Sequence, residues 1–107
     1  MKVLLSSVGN PDFGQNPNEQ LWGAEGNRVV DIKTFEDAVV ECILFINNND
    51  LGGGNWDGGD ITDNGKLIAY VSYNGRVWEV EEGKGKWSGR GKEIEIDKES
   101  LFKRLRM

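Results

Sequence analysis

The sequence predicts an α+β domain: an antiparallel β-meander of four to six strands, one main helix over about residues 34–49 packed on one face of the sheet, and a short C-terminal helix. Three features carry this prediction. Apolar residues recur at helical spacing through 34–49, two Asn-Gly pairs punctuate the strand-forming stretch that follows, and the run KEIEID alternates strictly between charged and apolar residues.

Taken in order, the opening KVLLSS reads as a strand. Residues 9–27 are turn-forming residues with isolated aromatics, which predicts a long ordered loop pinned by Phe13, Leu21 and Trp22. RVVDIK, from Arg28, reads as a second strand positioned to pair with the first. Thr34 is a good N-cap for the helix, with Glu36 and Asp37 in the first turn, where the helix dipole favours negative charge. Asp37 stands where the acid of a capping box would. Phe35, Ala38, Val39, Cys42, Ile43 and Ile46 share one face, and Val40, Leu44 and Phe45 widen the stripe. NNNDLGGG then offers left-handed C-cap residues.

Asn64-Gly65 and Asn74-Gly75 each match the two-residue hairpin signal. Two such loops set Asp63 opposite Lys66, Ile61 opposite Ile68, Asp60 opposite Ala69, Tyr73 opposite Arg76, Val71 opposite Trp78 and Ala69 opposite Val80. Side chains alternate along a strand, so one face receives Leu67, Ala69, Val71, Trp78 and Val80, and the helix is expected there. The other receives Ile61, Ile68, Tyr70, Val77, Glu79 and Glu81, a mixed surface suited to half-exposure or a partner. The stretch from Gly83 to Gly91 reads as a cationic glycine-rich turn carrying Trp87. In KEIEID, Ile94 and Ile96 point inward, and Glu93, Glu95 and Asp97 outward. ESLFKRLRM reads as the C-terminal helix, with Leu101, Phe102 and Leu105 packing back.

With 107 residues the chain is expected to form a single domain, 1–107, with one core. Its net charge of −5 disfavours direct binding to nucleic acid or to anionic membranes. No apolar run is long enough for a signal or a membrane span, and a lone cysteine cannot form an internal disulfide, which predicts a cytoplasmic protein. The absence of histidine removes the commonest general base and transition-metal ligand, and Cys42 lies on the apolar helix face as a core thiol. Asp57, Asp60 and Asp63 recur every third residue, but a calcium loop starting at Asp60 would need its bidentate acid at Val71. The reading is therefore no cofactor, no metal and no catalytic residue.

Three of the four tryptophans, Trp22, Trp56 and Trp87, fall in loops, either as plugs for a small core or as exposed anchors. The expectation is a non-enzymatic binding module for a partner macromolecule, its specific form an acidic inhibitor of a nucleic-acid-handling enzyme of the phage counter-defence type. The surface expected to meet a protein partner comprises Asn55, Trp56, Asp57, Tyr70, Glu79, Glu81, Glu82, Trp87, Glu93, Glu95 and Asp97. A small-ligand protein stacking a sugar or nucleotide on Trp56 or Trp87 is the alternative, and a carboxylate-dependent hydrolase a further one.

Overall fold

A computed structural model of the protein describes residues 1–7, 27–49, 51–52, 56, 58–81 and 90–105. The expected loop 9–27, apart from Asn27, and residues 83–89 of the cationic turn, with Trp87, lie outside the described residues, whereas Arg90 and Gly91, expected in that turn, begin a strand. The elements run β1 (Lys2–Leu5), β2 (Arg28–Asp31), α1 (Phe35–Asn48), β3 (Asp60–Asp63), β4 (Lys66–Val71), β5 (Val77–Val80), β6 (Arg90–Ile94) and α2 (Lys98–Leu105). The strands form one antiparallel six-stranded sheet in the order β2-β1-β3-β4-β5-β6, with α1 as the main helix and α2 the short C-terminal one. This is the predicted α+β class. Among the described residues, no helix is long and apolar enough to cross a membrane.

α1 begins as its residues dictate. Thr34, extended at φ −133°, accepts a hydrogen bond from the Asp37 N–H on its Oγ1, and Asp37 Oδ2 accepts in return from the Thr34 N–H. The same carboxylate oxygen also accepts from the Lys33 N–H at 2.9 Å. Asp37 Oδ1 meets Arg104 of α2 at 2.9 Å, so one side chain caps the first helix and clamps the last. The Lys33 N–H, then Arg104 and the Thr34 N–H, hold the Asp37 carboxyl below its ordinary value against the opposing effect of partial burial. At the other end the Leu51 N–H reaches back to Ile46 O at 3.0 Å, the long bond that closes a helix C-terminus, and the residue between Asn49 and Leu51 lies outside the described residues. Asn49 adopts φ −111°, and both its backbone N–H and its side-chain amide donate to Phe45 O.

The core lies between α1 and one face of the sheet. Ala38, Val39, Cys42, Phe45 and Ile46 of the helix pack there with Val3, Leu5, Ile61, Ala69, Val71 and Val77 of the strands. Each large side chain so removed from water contributes roughly 1.5–3 kcal/mol. Leu44, expected in the apolar stripe, is instead 43% exposed, because the sheet covers only one side of the helix. Leu101 of α2 is buried and Leu105 half-buried against the same core, whereas Phe102, expected to pack beside them, is 68% exposed. Asp97 caps α2, its Oδ1 accepting from the Ser100 N–H.

Two register expectations need correction. The first hairpin forms as read, with Asp63 opposite Lys66, but an irregularity at Ile61/Thr62 sets Ile61 against Ala69 and Asp60 against Tyr70. Ile68 is the extra residue of that bulge, opposite no single partner. In the second hairpin the loop is Tyr73-Asn74-Gly75. Gly75 N–H donates to Ser72 O, Ser72 N–H donates to Arg76 O, and only Gly75 has positive φ (81°). That is a three-residue loop with a terminal bulge, and it places Val71 opposite Val77 and Tyr70 opposite Trp78. A one-residue slip exchanges the faces. Val77 therefore enters the core, and Trp78 and Val80 pass to the sheet's outer face with Tyr70.

Candidate functional site

The predicted surface residues separate into three groups. Asn55, Asp57, Glu82 and Trp87 lie outside the described residues. Trp56 and Tyr70 are structural. Glu79, Glu81, Glu93, Glu95 and Asp97 are exposed acids on or beside the last two strands.

Trp56 was expected either to plug the core or, as part of the partner surface, to stand as an exposed anchor. It pairs as an isolated bridge with Ser7 at the end of β1, its Nε1–H donates to Val71 O at 3.1 Å, and its ring lies 6.1 Å from that of Phe45 at 53°. A half-buried indole with its polar edge satisfied internally closes the end of the core. The backbone beside it explains why. Gly59 donates to Leu4 O at 2.7 Å and accepts from Val71 N–H at 2.9 Å, bridging β1 and β4 at φ +91°. A Cβ there would stand 2.2 Å from Val71 O, so only glycine allows this crossing. Gly58-Gly59 is thus a close approach of three chain segments, not an adaptable recognition loop, and Trp56 is held against it.

Tyr70 was expected on the mixed, half-exposed face. It does lie on the face away from α1, but only 4% of it is exposed. The shifted register sets Trp78 directly opposite it, so the two aromatics share a neighbourhood that alternation alone did not show.

The acids are arranged around the open edge of the sheet. Glu93 is opposite Trp78 and so shares the outer face, and Glu95 lies just past the end of β6, exposed. Glu79, opposite Ala69, projects from the other face, and Gly91 provides the space beside it: a Cβ there would lie 3.0 Å from that of Glu79. The carboxylates therefore flank β6 on both sides instead of forming one flat patch. Asp97 is drawn into structure as the α2 cap, and its own N–H donates to Glu36 Oε2 at 2.8 Å.

Beyond the Val77–Ile94 pair the two strands part, because residues 95–97 leave for α2 while Arg76 is held in the turn. The gap is a cavity of about 390 Å³ lined by Arg76, Glu93, Ile94, Glu95, Ile96 and Lys98. Arg76 Nε stands 4.0 Å from Glu93 Oε2, an exposed pair of small energetic weight. A second cavity, about 340 Å³, opens on the other side of Arg76 beside Trp78. Sequence reading passed over Ser72, Asn74 and Arg76. Their signal was the serine two residues before an Asn-Gly pair, which offers a hydroxyl to the turn.

Compared with protein-family models, with curated proteins and with solved structures, the chain shows no significant match.

Proposed function

We propose that the protein is a non-enzymatic binding module that occupies a cationic surface of a partner macromolecule through the acidic edge formed by β5 and β6. The observation that carries this reading is the placement of Glu79 and Glu93 on the two faces of the sheet at its last strands, with Glu95 just past the end of β6, all solvent-exposed. Carboxylates on a rigid ladder present fixed negative charge at strand spacing, which steers a positively charged partner and sets its register. In its specific form the partner is a nucleic-acid-handling enzyme, and the carboxylates occupy the positions of phosphates.

The hydrolase reading fares less well. Glu93 and Glu95 do line one cavity, but both are exposed there beside Arg76 and Lys98. Paired-acid hydrolysis needs two carboxyls in different environments, one held protonated. No burial distinguishes these two. Stacking of a ligand on Trp56 is disfavoured as well, since its ring and Nε1–H are engaged inside the protein.

The test is binding to a panel of purified cationic nucleases and polymerases at about 0.05 M and about 0.5 M salt. The affinity of a true partner falls at least about tenfold between those conditions, and is lost in the Glu93→Lys/Glu95→Lys variant. Binding that ignores both salt and charge reversal would overturn the proposal.

A further inference from the structure

An asparagine followed by glycine is open to attack by its own main chain, because glycine places no side chain beside the attacking nitrogen. The chain holds two such pairs, Asn64-Gly65 and Asn74-Gly75, both in turns of the meander. The reaction needs the glycine nitrogen to reach Cγ of the residue before it, so the turn has to open and rotate. What holds each turn therefore decides which pair reacts.

The first pair is unrestrained. Asn64 and Gly65 are both exposed, and among the described residues neither the Asn64 side chain nor the Gly65 N–H has a hydrogen-bond partner. A Cβ on Gly65 would meet no atom within 4 Å. Asn64 also sits left-handed at φ 53°, a conformation that a residue with a side chain holds only at a cost, so opening relieves strain there. The second pair is held at both ends of the reaction. The Gly75 N–H, the group that would attack, donates to Ser72 O at 2.9 Å, and the Asn74 carboxamide lies within hydrogen-bond reach of the Ser72 hydroxyl. Tyr73 anchors the same loop to Leu51 O at 3.0 Å, and Gly75 stands beside Ile43 and Val39 of α1.

We propose that Asn64 is a site of spontaneous modification, converted to aspartate and isoaspartate through attack by the Gly65 nitrogen, while Asn74 is protected by its turn. Hydroxide takes the Gly65 amide proton, and the nitrogen attacks Asn64 Cγ. The N–Cγ bond forms, the Cγ–Nδ2 bond breaks, and Nδ2 leaves as ammonia with a proton from water, which restores the hydroxide. Water then opens the cyclic imide. Breaking the new N–Cγ bond leaves aspartate, and breaking the Asn64 C–N bond leaves isoaspartate, whose main chain runs through Cγ. Aspartate sets a second carboxylate beside Asp63. Isoaspartate lengthens the main chain by a methylene in a loop of two residues, which displaces the Asp63–Lys66 pair and, along β3, the buried Ile61. The site does not depend on the acidic edge having a macromolecular partner.

The experiment incubates the folded protein in mildly alkaline buffer beside a guanidinium-unfolded sample, then digests both with trypsin, which cleaves after Lys66 and so separates the two asparagines. Fragment masses should show amide-to-acid conversion at Asn64 at least about tenfold faster than at Asn74 in the folded protein, since the second loop gives up two further hydrogen bonds on opening. The unfolded chain should convert both at nearly equal rates. Asn64→Asp, which stands for the aspartate product, should keep the native ¹H–¹⁵N spectrum and lose the fast conversion. The assignment is overturned if the folded protein converts Asn74 as fast as Asn64, if neither asparagine of the folded protein reacts, or if fast conversion persists in Asn64→Asp.

Discussion

Asn64-Gly65 and Asn74-Gly75 are the same dipeptide in the same setting, between two antiparallel strands, and the chain turns differently at each. At the first, both residues are left-handed, with φ 53° and 79°, and the loop contains nothing else. At the second only Gly75 is left-handed, and the loop takes in Tyr73 as well. The difference lies in what anchors the preceding residues. Tyr73 is tied by its hydroxyl to Leu51 O, and Ser72 uses its own hydroxyl within the turn. At the first turn Asp63 makes an exposed ion pair with the N-terminal ammonium at 3.9 Å, a contact of small weight, and Gly65 itself faces open space. A dipeptide with two turn solutions is decided by its tertiary contacts.

Proline gives the sharpest separation. Asn64→Pro requires φ near −65° where the chain needs +53°, and should cost roughly 2–3 kcal/mol in urea unfolding. If the loss is under about 0.5 kcal/mol, Asn64 does not hold the left-handed conformation that this two-residue turn requires. Gly65→Ala and Gly75→Ala come next. Neither would meet a hard clash, since Gly65 has open space and Gly75 only ordinary contacts with Ile43 and Val39. Both should therefore lose the same amount, about 1–2 kcal/mol, from positive φ alone. Thermal melts showing a clearly larger loss at Gly75 would mean that packing against α1 matters there. The smallest effect is expected for Tyr73→Pro. This is the second residue of a type I turn, where proline's φ is suitable, so only the hydroxyl bond to Leu51 is lost, about 1 kcal/mol. A loss comparable to that of Asn64→Pro would erase the contrast between the turns.

The same distinction describes how much could be read before the structure. The α1 cap was legible because Thr34 and Asp37 satisfy each other locally, with no help from the rest of the chain. The turn of the first hairpin was legible for the same reason, though not the bulge beyond it, and so were the buried Cys42 and the inward Ile94 and Ile96. What failed depended on distant partners. Trp78 changed face because Tyr73 added one residue to a loop, and Tyr70 was buried by the register that followed. Of the two readings of Trp56 the core plug holds and the exposed anchor does not, because Gly58 and Gly59 let three chain segments meet, a contact no local pattern announces. Of the proposed edge, Glu79, Glu93 and Glu95 were identified correctly as exposed, but their division between two faces was not visible.

The strand order has a consequence for how quickly the molecule assembles. From β3 to β6 each strand pairs with the next along the chain, so those hairpins close over short loops within microseconds. β1 instead sits between β2 and β3, with Lys2 opposite both Asp31 and Thr62. Its pairing with β3 joins the two ends of a segment that contains both β2 and α1, so the largest loop-closure entropy in the sheet falls on this one pair. The strand inside the finished β2-β1-β3 triplet is thus the one whose docking is made slowest by topology, and stopped-flow folding should show it joining after the meander hairpins.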